Sequence, residues 1–267
     1  MRDTWAMTEE RFDASTMKTL ERVPDLIERA RLAADGVGQN GSIEAEDRLS
    51  PVGHHVTVLA GMKLAIAGDH LLGFYLIAHG TRHIPTWSHL TLLRGATEAA
   101  MDVRWLTDPA STSQDRVARA VGRMLYDYEQ RALAEDELAG QEGWPRPGYV
   151  DARARHAELI AEATAAGVFP AGYPGSTNLA RTFAECGLSL DAFNFRYMSG
   201  VQHGVVWAGV RGDHSEVVEP SDPTDPVNRV LTTASSSGTW YATRCATHHF
   251  VSAIESIERY LAPADNP

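Results

Sequence analysis

The feature that most constrains this chain is the stretch from Trp87 to Leu106. Trp87, Leu90, Arg94, Glu98, Met101 and Trp105 fall at intervals of three and four, while Leu92, Ala96, Ala99, Val103 and Leu106 form a second apolar stripe. A helix that is apolar along two faces is covered by neighbours on both, rather than lying on a surface. Such a helix demands other helices around it, and the rest of the chain supplies them. Leu20, Val23, Leu26, Ile27 and Ala30 recur at helical spacing between Ser15 and Ala34, with Pro24 breaking or starting a helix there.

Further helices are predicted over Pro51–Ala78, from a cap at Thr86 or Ser88 to Leu106, over Ser113–Leu138, over Asp151–Ala165, over Asn178–Glu185 and Ser189–Val210, and over Val227–Leu261. Gly36 to Ser50 reads as a polar connector. "QEGWPRPGY" and "GVFPAGYPGSTN", around Gly143 and Gly172, read as Gly/Pro-rich loops, and "RGDHSEVVEPSDPTDP" as an acidic solvated loop. No run of alternating β-branched residues suggests a sheet. The expected fold is an all-α bundle of about seven or eight helices. Residues 1–50 form a helical appendage and connector, and residues 51–267 form the bundle.

The formal charge of −11 argues against broad phosphate gripping, because proteins that hold nucleic acid along its backbone carry a basic stripe. Extended DNA binding is therefore not expected, whereas a small local RNA site is compatible. The two cysteines, Cys186 and Cys245, form no CxxC and are expected to be buried thiols in a reducing compartment. Val56 to Ala78 is the strongest membrane candidate, but it carries Lys63, Asp69 and His70. Charges at a bilayer midplane cost about 2.5–3.5 kcal/mol each, so a buried helix is expected. "MRDTWAMTEERFD" lacks the pattern of a secretory leader. These readings predict a cytoplasmic protein outside the membrane.

Chemistry-bearing residues fall in three groups. Arg94 and Glu98, spaced i,i+4, can meet inside an apolar stripe. They form either a structural ion pair or part of a polar pocket in which Arg94 meets an anion. Asp69 and His70 interrupt an otherwise apolar helix and raise the same two alternatives. Eleven histidines include His54–His55, His248–His249 and the i,i+4 pair His79/His83, yet no HExxH or ExxH occurs and no metal is expected. No Walker A, GxGxxG or GxSxG motif occurs, and no cofactor is expected.

The third group is "FRYMSGVQHG", Phe195 to Gly204. Seven residues turn an α-helix by about 700°, which puts Arg196 and His203 on one face about 10 Å apart, with Ser199 between them. A histidine near pKa 6.5 can take a 2′-hydroxyl proton, and an arginine can hold a phosphate. This spacing, late in a helical bundle, resembles the signature of the HEPN superfamily, an arginine and a histidine with four to six residues between them; Arg196 and His203, with six, match the longest spacing. "LLRGATEAAMDVRWLTDP" and "YMSGVQHG" are also similar to stretches in actinobacterial helical proteins near that superfamily. The resemblance implies a homodimer with paired motifs and metal-independent RNA cleavage, with Arg196 and His203 as the catalytic pair. Tyr197 departs from the small polar residue that follows the arginine in many active members. Asp69, His70, Arg94 and Glu98 are second candidates for the same pocket. A non-enzymatic bundle that binds a nucleotide or another ligand is the alternative.

Overall fold

The computed structural model describes residues 11–81, 84, 88–145, 148–171, 195–196, 198–199, 215–218, 229–232 and 236–263. The chain is all-α, as the periodicity predicts. Its helices are α1 (Ala14–Leu20), α2 (Val23–Ala34), α3 (Ile43–Asp47), α4 (His54–Thr81), α5 (Ser88–Leu106), α6 (Ser113–Leu138), α7 (Ala152–Ala165) and α8 (Ser236–Leu261). Predicted helices over Asn178–Glu185 and most of Ser189–Val210 lie outside the described residues, although Phe195, Arg196, Met198 and Ser199 are helical.

Short polar side chains set the helix starts. Asp13 accepts from the Thr16 amide at 2.6 Å, Ser42 from Ala45 at 3.0 Å and Asp151 from Ala154 at 2.9 Å. Each satisfies an amide that the first turn leaves without a helical partner. At α6 the exchange is reciprocal: the Thr112 hydroxyl accepts from the Asp115 amide at 3.1 Å and donates to the Asp115 carboxylate at 2.7 Å. Thr112→Ala is expected to lower stability by about 1 kcal/mol in urea unfolding. An unchanged midpoint would show that the cap contributes nothing.

Two sequence expectations are corrected. The connector Gly36–Ser50 holds the helix α3, too short for periodicity to reveal. The acidic loop and the start of the last predicted helix instead supply a two-stranded antiparallel hairpin, β1 (Ser215–Val218) and β2 (Arg229–Thr232), in which Val217 faces Val230. Both strands carry β-branched residues on either side of the Pro-rich stretch, which is hairpin chemistry on a small scale. The last helix accordingly begins at Ser236, not Val227.

The chain divides into two compact units, to each of which α4, α5 and α8 contribute. The first comprises residues 1–32, 64–101 and 176–254; the second comprises 33–63, 102–175 and 255–267. In the first, Leu64, Leu71 and Phe74 of α4, Leu90 and Leu93 of α5, and Phe250 of α8 are buried. Phe12 meets Phe74 edge-on at 5.7 Å, and His89 stacks on Phe74 at 6.2 Å while its Nε2 lies 3.0 Å from the Thr239 hydroxyl. Cys245 is a buried free thiol, and Cys186 lies outside the described residues.

The second unit closes on Val52, Val56, Leu59, Leu106, Val117, Val121, Leu159 and Tyr260. Beside this core lies a polar network. The buried Arg116 donates to Asp47 through Nε at 2.9 Å and NH2 at 2.8 Å, and through NH1 to the Ser111 carbonyl. Tyr260 donates to the same carboxylate at 3.0 Å. A Cβ on Gly53 would sit 1.8 Å from the Asp47 carbonyl oxygen, so only glycine lets the chain pass this close. Lys63 and Asp102 form a second enclosed ion pair at 3.0 Å, with side chains 11% and 4% exposed. Among the described residues, α4 is long and apolar enough to cross a membrane, and 44% of its most apolar window is buried.

His55, near the start of α4, supplies a pH dependence. Burial, with His54 and Arg155 nearby, pushes its imidazole down from 6.5 to about 4. Between those values the unfolded chain takes up a proton that the folded chain refuses, so this group makes stability fall as pH drops through that window. Above 6.5 it contributes no slope. The drop in urea midpoint across the window is expected to be smaller in His55→Gln than in the wild type, and equal drops would refute the assignment.

Candidate functional site

Arg196 is exposed and Ser199 half-exposed, whereas Phe195 and Met198 are buried, at 2% and 0%. This is the division an amphipathic helical turn makes: residues 195 and 198 point into the first unit, and residues 196 and 199 form its outer edge. The third residue, His203, lies outside the described residues, as does Tyr197.

Behind this edge stands α5. The Arg94 guanidinium lies over the Phe195 ring, 5.2 Å from its centroid, and pairs with Glu98 at 3.1 Å. The i,i+4 spacing thus brings Arg94 and Glu98 together, and the ring contact ties them to the segment that carries Arg196. Arg94 is buried, at 8% exposure, and the Glu98 side chain is 29% exposed. His70 is half-buried, with its ring against α5 at Gly95, where an added Cβ would lie 2.7 Å from Nε2. Asp69 is exposed. The structure therefore joins Arg94 and Glu98 to the Arg196 segment and sets His70 against the neighbouring residue of α5, while among the described residues no contact brings Asp69 to them.

No group of three or more metal-ligating side chains occurs among the described residues. His54 and His55 lie tilted against each other at 4.1 Å, His248 and His249 meet edge-on at 5.4 Å, and His79 packs on Tyr75 at 4.3 Å. Each contact is between near neighbours in sequence. A hollow in the second unit, lined by Thr57, Gly61 and Tyr260 among others, has room for about one water, at about 10 Å³. An organic ligand does not fit it.

The loop around Gly143 is anchored rather than free at its far end. Glu135 of α6 accepts from the Tyr149 hydroxyl, the Ala152 amide and Arg131, and these bonds hold its carboxyl below the usual range while Tyr149 is pushed up to about 12. Sequence reasoning missed this cluster, together with Asp47, Arg116 and Tyr260. The only local signal was Arg131 four residues before Glu135.

No family model, curated protein or solved structure matches this chain.

Proposed function

We propose that the chain is an HEPN-like helical protein that cleaves RNA without a metal, at the edge formed by Arg196, Ser199 and His203. The observation that supports this reading is the outward-facing pair Arg196 and Ser199 on a turn whose Phe195 and Met198 are buried. An exposed guanidinium beside a hydroxyl is suited to holding two oxygens of a phosphodiester. In a helix continuing at this seven-residue spacing, His203 would fall on the same edge. Its imidazole takes the 2′-hydroxyl proton, the 2′-oxygen attacks phosphorus, and the bond to the 5′-oxygen breaks as that oxygen takes up a proton from water. A cyclic 2′,3′-phosphate and a 5′-hydroxyl result. Arginine stabilises the negative charge that builds up on the phosphoryl oxygens. In this reading a cytoplasmic homodimer brings two such edges to one phosphate.

A second reading, a non-enzymatic nucleotide-binding bundle, is favoured by the net charge of −11, which limits binding to a few phosphates. Both readings need Arg196; only the first needs His203 as a base. Incubating end-labelled RNA with the protein in excess EDTA separates them. Cleavage by the wild type that is lost in His203→Ala supports the enzyme. Absent cleavage, or cleavage equal in both proteins, removes it.

A further inference from the structure

We infer that Arg94 is a positioning residue, which fixes the helical segment presenting Arg196 through its contact with the Phe195 ring and does not itself meet the anion. The inference rests on the reading of the Arg196 edge as the site. A buried arginine near a proposed phosphate site invites the opposite assignment, that of a second anion-binding cation. Three observations oppose it. Arg94 is buried at 8% exposure, Glu98 at 3.1 Å already offsets its charge, and the guanidinium lies over an aromatic face. Phe195 directly precedes Arg196, so whatever fixes the ring fixes the backbone from which the exposed guanidinium projects. A cation held over an aromatic ring in a desolvated setting resists displacement more than apolar packing alone. Met198, wholly buried one turn along, is the second anchor of the segment.

The bond after Arg196 is a trypsin site, and cleavage there reports how often the segment opens when opening is fast relative to cutting. The internal control is cleavage after Arg153, which pairs with Asp136 in the second unit. In the full chain, Arg94→Gln is expected to raise the ratio of the Arg196 cut to the Arg153 cut about three- to tenfold, the range a cation–π contact supports. Phe195→Leu, which keeps apolar bulk and removes the π face, should do the same, and Arg94→Lys should restore part of the protection. The double variant should open no more than either single one. An unchanged ratio overturns the inference, as does a parallel rise at both cuts, which would mean general destabilisation.

RNA cleavage provides the second readout. Arg94→Gln should slow it without shifting its pH profile, and Arg94→Lys should recover part of the rate. A shifted profile would overturn the positioning role. If the wild type cleaves no RNA, the proposed function falls, and the protease ratio still decides the role of Arg94.

Discussion

Replacing Asp47 with alanine is expected to remove about 3–5 kcal/mol of stability, the cost of leaving one member of a buried ion pair unpartnered. Asp47 is fully buried and accepts three hydrogen bonds, two from Arg116 and one from Tyr260. Without it, the Arg116 guanidinium stays enclosed with the carbonyls of Asp108 and Ser111 and the exposed Glu46 as its remaining partners. A domain whose total stability is about 5–15 kcal/mol loses a large share of it. Tyr260→Phe removes the hydroxyl's bonds to Asp47 and Thr57 but strands no charge, and should cost only about 1–2 kcal/mol. Urea unfolding of the two variants checks the ordering. Equal effects would show that the tyrosine, not the charge, holds the network.

The second large effect concerns the proposed chemistry. His203→Ala is expected to slow RNA cleavage in EDTA about a hundred- to ten-thousandfold, the usual contribution of a positioned general base. Arg196→Ala should slow it about a hundred- to thousandfold, as loss of a group that stabilises developing charge does. Arg196→Lys keeps the charge and loses the fork that grips two oxygens, so it should recover only part of the rate. Gel analysis of the products also tests the route, because a 2′-hydroxyl attack leaves a cyclic phosphate. Products ending in a plain 5′-phosphate would refute His203 as the base of this reaction.

Sequence legibility followed sequence distance. The two apolar stripes of α5 are local, and Leu90, Ala96, Ala99, Met101, Val103 and Leu106 are buried, while Leu92 and Trp105 are half-buried. Arg94 and Glu98, four residues apart, are in contact as their spacing predicts. Helical counting also put Arg196 and Ser199 on one edge, and that edge is the outward one. What escaped was non-local or too short to show a period. Arg116 lies 69 residues from Asp47, and Tyr260 lies 213 residues from it. No spacing rule connects such positions. α3 spans five residues, less than two turns, so the burial of Glu44 and Asp47 left no apolar pattern to read. The approach of Phe195 to Arg94 was illegible for the same reason as the Asp47 network, since it joins residues a hundred positions apart.

The Asp47 carboxylate also sets an order on the chain's own synthesis. Its first partner, Arg116, follows within 69 residues, whereas the tyrosine that completes its bonding follows after 213. α8, which brings that tyrosine, also brings Phe250 to the other unit. Neither core is therefore complete while the ribosome is still short of this helix. Most of the polypeptide must wait with apolar surface uncovered, which is the interval in which chains of high sequence separation are most exposed to aggregation.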